Sequence, residues 1–185
     1  MQIEFERGLP VAIDGERLGL VELLERAAEI GMRHGVGIVD HIEDRIVGLK
    51  VRDIYEVPAA AILLKAHREL ERLCGTIHQN QFKPALDQRW AYLVYAGLWW
   101  EPLREDIQVY VEHVNRQVTG TIGLKLFKGS VRVVTRESPN AVYDAQLASF
   151  AESGGLFSQQ ASPGFIELWG LQSRMAHRLR GDGDG

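Results

Sequence analysis

Hydrophobic and polar positions along this chain change period several times, and each change marks an element. Ile3 and Phe5 alternate with charge, Gly8 offers a turn, and Leu9, Val11 and Ile13 alternate again, which predicts a β-hairpin closing at Asp14-Gly15. Leu20, Leu23, Leu24, Ala27 and Ala28 then recur at helical spacing, and Gly31 or Gly35 stops the helix. From Ile38 to Val51 the chain is β-branched with a polar break at Glu43-Asp44, the pattern of a second hairpin. Pro58 suits the first turn of a helix, whose stripe of Ile62, Ala66, Leu70 and Leu73 runs to Gly75. After a polar loop from His78 to Lys83, Pro84 opens a third helix with Trp90, Leu93 and Val94. Pro102 opens a fourth, with Leu103, Ile107, Tyr110, Val114 and Val118 spaced by threes and fours. Ile122, Leu124 and Leu126 alternate, Lys128-Gly129 turns, and Val131 and Val133 return. A loop begins at Gly154-Gly155, and Phe165, Ile166, Leu168, Trp169, Leu171, Met175 and Leu179 mark a helical arm.

Hairpins mixed with helices, without strict β-α-β alternation, predict an α+β fold rather than a parallel sheet. We read one domain over residues 1–180 and a disordered tail from Gly181 to Gly185. The 185 residues, 45% hydrophobic and 25% charged, suffice for a packed core. No apolar run approaches the length of a membrane span, and Met1 to Arg7 do not read as a secretory leader. The single Cys74 excludes an internal disulfide and suits a cytoplasmic protein.

Charge narrows the partners. The formal net charge is −4, and the one basic cluster, Arg174 to Arg180, is short and falls on a predicted helix, so nucleic acid is not expected. The six histidines lack paired ligand spacing, and Asp182 and Asp184 lack the other ligands of a calcium loop, so no metal site is predicted. His67 reads as a surface residue beside Lys65 and Glu69, and Trp99-Trp100 as plain core or interface. Ser153-Gly154-Gly155-Leu156 imitates the start of a phosphate loop, but no strand precedes it and Phe157 follows, so it does not predict a nucleotide site.

Several ordered segments carry a resemblance. Glu4-Phe5-Glu6-Arg7-Gly8-Leu9-Pro10-Val11-Ala12-Ile13-Asp14-Gly15-Glu16, the run from Val36 to Pro58, Leu64-Lys65-Ala66-His67-Arg68-Glu69-Leu70-Glu71, Tyr95 to Glu105, Val118 to Gly129, and Arg136-Glu137-Ser138-Pro139 together resemble the C-terminal, substrate-binding and multimerisation domain of the argininosuccinate synthase family. In that family citrulline's ureido oxygen attacks the α-phosphorus of ATP, and aspartate's amine then displaces AMP. The nucleotide is held by an S-G-G-x-D-x-S loop in an N-terminal domain, which has no counterpart in this sequence. The resemblance implies that Glu43 and Tyr55 belong to a citrulline pocket, with the carboxylate suited to an α-ammonium and the phenol to one directed hydrogen bond. It implies no catalytic residue and no cofactor in this chain, ATP being expected only on a partner. The family's S-R-G is here Val51-Arg52-Asp53, and T-P-G-G-T is Val57-Pro58-Ala59-Ala60-Ala61.

The expected function is therefore the amino-acid-binding and oligomerisation subunit of an argininosuccinate synthase-like ligase of arginine biosynthesis, inactive alone and completed by a separate nucleotide-binding subunit. The alternative is a non-catalytic oligomerisation or regulatory module of the same descent, which the changes at Val51, Asp53, Val57, Ala60 and Ala61 favour. The family's C-terminal arm builds oligomers, so a homo-oligomer is also expected.

Overall fold

The computed structural model describes residues 1–144, 158 and 160–181, in two compact units, Met1–Val142 and Tyr143–Gly185. In the first unit, strands β1 (Gln2–Glu6), β2 (Leu9–Ile13), β3 (Glu16–Arg17), β6 (Gly120–Phe127) and β7 (Ser130–Glu137) form one antiparallel sheet in the order β3-β2-β1-β6-β7. Ile3 on the central strand stands opposite Ile13 on one side and Ile122 on the other. The inward period-2 residues thereby line up across the sheet. A register shift between Gly123 and Leu124 breaks the alternation, and Ile122, Gly123 and Leu124 are all buried.

Helices α1 (Leu20–Arg33) and α2 (Pro58–Cys74) pack on each other and against this sheet. Leu23 and Ala27 of α1 and Ile62, Ala66 and Leu70 of α2 meet Ile3, Phe5, Ile13, Ile122 and Leu124 in one core. Burying each large side chain contributes roughly 1.5–3 kcal/mol. The helices approach closely at Gly31, where a Cβ would sit 2.7 Å from Pro58 Cβ. Gly31 therefore lies inside α1, and the left-handed Gly35 (φ 65°) follows its end.

Helix α3 (Ile77–Tyr95) begins earlier than the sequence predicts and contains Pro84. Thr76 Oγ1 accepts from Gln79 N at 3.4 Å, and Gln79 Oε1 accepts from Thr76 N at 2.9 Å. This reciprocal capping starts the helix in a stretch whose polarity suggested a loop. Helix α4 (Pro102–Asn115) returns alongside, with Phe82 and Tyr110 edge to face at 5.8 Å. Trp99 and Trp100 in the connection are exposed rather than core, while Arg104 is buried, its guanidinium 4.5 Å from the Trp99 ring centroid.

The second sheet is a two-stranded ribbon, β4 (Ile38–Asp44) with β5 (Lys50–Glu56). Its turn is Arg45–Leu49, beyond the Glu43-Asp44 pair where the polarity suggested a break. Arg45 N donates to Leu49 O at 2.7 Å, and Gly48 is left-handed at φ 84°. Gly37 (φ 95°) leads the chain in, and Val57 N donates to Gly37 O at 2.8 Å as the chain leaves. A Cβ at Gly37 would lie 2.5 Å from the Pro58 nitrogen, so glycine alone fits this crossing.

In the second unit, α5 (Ala161–Trp169) and α6 (Leu171–Gly181) form a helical pair. Phe165 stacks on Trp169 at 5.5 Å, and Arg174 Nη2 donates to Glu167 O at 2.7 Å. Phe165, Ile166, Leu168, Trp169, Met175 and Leu179 are all exposed. Gly181 closes α6 instead of opening a tail, and residues 182–185 and the Ser153-Gly154-Gly155-Leu156 segment lie outside the described residues. The architecture is α+β with antiparallel sheets. No helix among the described residues is long and apolar enough to cross a membrane.

Candidate functional site

Strand alternation sorts the ribbon into two polar faces. The register pairs Val39 with Tyr55, His41 with Asp53, and Glu43 with Val51, so the odd-numbered residues share one face. The even-numbered face carries Asp40 and Arg52, joined at 2.8 and 2.5 Å, and the ion pair of Asp44 with Lys50. The Arg52 hydrogen bond holds the Asp40 carboxyl below the usual carboxylate range.

Glu43 and Tyr55, predicted as a pair, meet on the odd face. Tyr55 Oη donates to Glu43 Oε2 at 3.0 Å and lies 3.4 Å from Asp53 Oδ2. Arg45 Nε contacts Glu43 Oε1 at 2.6 Å, and its Nη2 pairs with Asp53. His41 Nε2 is 3.3 Å from Glu43 Oε2, and its ring meets that of Tyr55 edge to face at 5.5 Å. Glu43 is the most sheltered of these, with a side chain 17% exposed. The Glu43 hydrogen bond, with burial and the Glu43 and Asp53 charges behind it, raises the Tyr55 pKa above its usual value and keeps the phenol a donor.

Sequence reasoning did not assign roles to His41, Arg45 and Asp53. The signal was available in the hairpin arithmetic: a turn over residues 45–49 pairs positions that sum to 94, as Asp44 with Lys50 does. Placing the break at Glu43-Asp44 hid it. Of the departures from the family pattern, Val51 and Asp53 lie on this face, Asp53 in contact with Arg45, while Val57, Ala60 and Ala61 lie at the start of α2.

A second polar cluster lines a cleft of about 810 Å³ between α2, α3 and α4. Lys83 Nζ is held by Glu71 at 2.8 Å and by both Asp87 oxygens at 2.8 and 2.9 Å. His67 is half-buried here, against the Phe5 ring at 5.8 Å, and not on the surface as its charged neighbours suggested. Burial lowers its pKa most, Lys83 adds to that, and Glu71, Asp87 and the Asn115 hydrogen bond oppose it. Among the described residues no group of three or more His, Cys, Asp and Glu is arranged to hold a metal.

The sequence has counterparts among known proteins. The arginosuccinate synthase C-terminal domain family matches residues 1–176. The argininosuccinate synthase of Rubrobacter xylanophilus is 51% identical over 174 residues, 94% of this chain and 42% of that protein. That of Pyrococcus furiosus is 46% identical over 177 residues, 96% of this chain and 43% of the relative, and that of Methanopyrus kandleri 47% over 181 residues, 98% and 45%. The chain thus spans less than half the length of these relatives and aligns with one domain of them. On a domain-length match and identities near one half, this chain belongs to the argininosuccinate synthase family, through its C-terminal domain.

Proposed function

We propose that this chain is the amino-acid-binding and oligomerisation half of an argininosuccinate synthase-like ligase, with ATP bound by a separate subunit of the N-terminal type. The observation that supports this reading best is the Glu43–Tyr55 hydrogen bond of 3.0 Å on one ribbon face, within a domain matched over residues 1–176. Glu43 is the acceptor for a substrate α-ammonium, and Tyr55, kept protonated, fixes the direction of one hydrogen bond. Activation of a citrulline-type ureido oxygen by ATP, and displacement of AMP by aspartate, need the nucleotide site of the partner. In the second unit exposed Ile166, Leu168 and Trp169, and in the first unit exposed Trp99 and Trp100, each favour association with further chains, since neighbouring exposed apolar residues mark interfaces. The unpaired, buried Cys74 agrees with a cytoplasmic setting.

A second reading is a non-catalytic oligomerisation or regulatory module. It draws on Asp53, whose carboxylate occupies the ribbon face against Arg45, and on Val51 beside it.

Affinity capture of the tagged chain from its native cells, followed by assay of the mixture, tests both. We expect a stoichiometric partner bearing an S-G-G-x-D loop, and AMP formation that requires citrulline or an analogue, aspartate and both proteins. The chain alone turns over no ATP. Recovery as a homo-oligomer without such a partner, and without AMP formation, selects the non-catalytic module.

A further inference from the structure

We propose that the cleft between α2, α3 and α4 is a ligand site separate from the ribbon, taking a small organic acid: one carboxylate on an apolar body. At about 810 Å³ it falls among the pockets that enclose small organic ligands. Its wall on α2 is a column of Leu64, Arg68 and Arg72, four residues apart and so stacked on successive turns. Pro84, Gln88 and Ala91 of α3 and Val111 of α4 line the other sides.

What the lining groups already hold decides the charge of the ligand. Lys83 is closed to a newcomer, enclosed by Glu71 at 2.8 Å and Asp87 at 2.8 and 2.9 Å, and those two carboxylates are occupied by it in turn. Arg72 lies 3.3 Å from Glu69, which also binds Arg136. Asn80 donates to the carbonyls of Arg72 and Gly75 at 3.1 Å, and Gln108 to Glu112 at 2.8 Å. Arg68 and Gln88 are left: among the described residues neither has a hydrogen-bond or ion-pair partner. A guanidinium and an amide N–H are donors that a carboxylate accepts from. An ammonium would find both carboxylates of the lining already on Lys83. The remaining lining calls for hydrocarbon. Leu64 is 63% exposed, and together with Pro84, Ala91 and Val111 it presents apolar surface in a concave setting, which a ligand body would cover. Trp90 lines the same cleft, its Nε1 buried without a hydrogen-bond partner, so its indole N–H is a local reporter of occupancy. No residue is shared with the ribbon, and failure of this site leaves the proposed function untouched.

2-Naphthoate and 2-naphthamide, alike in shape and different in charge, test the assignment. Each is titrated into the full chain, and dissociation constants are read from the Trp90 indole N–H and the backbone amides of residues 64–72 and 84–91. Naphthoate is expected to bind about tenfold more tightly, the worth of one charge-assisted hydrogen bond, and added salt should shrink the preference. Arg68→Gln is expected to remove most of that preference, and Leu64→Gln to weaken both probes; both side chains are exposed, so the fold is retained. Equal affinities for the two probes, a preference that survives Arg68→Gln, affinities that Leu64→Gln leaves unchanged, or shifts confined to residues 95–103 or 161–181 overturn the proposal, as does the absence of any shift.

Discussion

Lys83 is where a single charge holds two helices, and its replacement by methionine gives the sharpest test of the packing described above. Its side chain is 7% exposed and Glu71's 13%, while Asp87's is 46% exposed. Lys83→Met keeps most of the aliphatic volume and removes the cation. At an effective dielectric near 20, a 2.8 Å pair carries about 6 kcal/mol of gross attraction, much of which offsets desolvation of the ammonium. Removing one partner of a fully buried pair costs about 3–5 kcal/mol because the other charge is stranded. Here Asp87 rehydrates and Glu71 does not, so we expect a loss of about 2–3 kcal/mol. Urea unfolding followed by tryptophan fluorescence measures it, and a second variant isolates the cause. If the stranded Glu71 carboxylate is the source, Lys83→Met/Glu71→Gln should recover more than half of the loss, a coupling that a double-mutant cycle reads directly. Burial lowers the Lys83 pKa, but the Asp87 hydrogen bonds and the Glu71 contact together outweigh it and raise the value. Its contribution is therefore complete below about pH 10.4 and disappears only as pH climbs through the raised value. A Lys83→Met protein within about 0.5 kcal/mol of the parent, or a double variant no more stable than the single one, refutes the reasoning, since ordinary surface substitutions fall in that range.

Other outcomes are equally concrete. His67 has a lowered pKa and faces Glu71, Asp87, Lys83 and Asn115, so its contribution is full above about pH 6.5 and fades as pH falls through the lowered value; His67→Gln should flatten the urea midpoint over that window. Tyr55 should ionise above the usual value of about 10 in an ultraviolet absorbance titration, and Glu43→Gln should bring that step back down, because the Glu43 hydrogen bond is the main cause of the shift. Gly37→Ala forces a side chain onto Pro58 at a left-handed backbone position and should cost more than about 2 kcal/mol; a midpoint unchanged from the parent would show that the crossing relaxes. Leu70→Ala, in the fully buried core, should cost about 2–5 kcal/mol in the same assay.

Elements that bury a regular stripe were legible in the sequence. Ile62, Ala66 and Leu70 announced α2, and Ile122, Leu124 and Leu126 announced β6, because their side chains repeat with the geometry that buries them. The start of α3 was not, since a capping pair of Thr76 and Gln79 and a neutralised Lys83 make a helix from residues whose average polarity is that of a loop. On the ribbon, Glu43 and Tyr55 emerged through family resemblance, whereas Arg45 and Asp53 emerge from cross-strand pairing alone. Periodicity along one strand carries no information about which residue of the other stands opposite. His67 was misjudged for a related reason: its neighbours Lys65 and Glu69 point elsewhere on the helix, and what it touches, Phe5, is far away in sequence.

The pairing rule of the ribbon also limits how this protein can change in length. Among the described residues β4 and β5 pair only with each other, so no third strand fixes their alignment; the turn at Arg45–Leu49 sets it at one end and the Val57–Gly37 hydrogen bond at the other. Counted from the turn, a deletion or insertion of one residue at Asp44 would carry Glu43 to the opposite face, that of Lys50 and Arg52 and away from Tyr55, without touching the core. Lengthening the tip of the turn preserves both faces. Stability therefore does not protect this part of the molecule, and drift in ribbon length would erase the Glu43–Tyr55 pair while leaving a folded, fully packed domain behind.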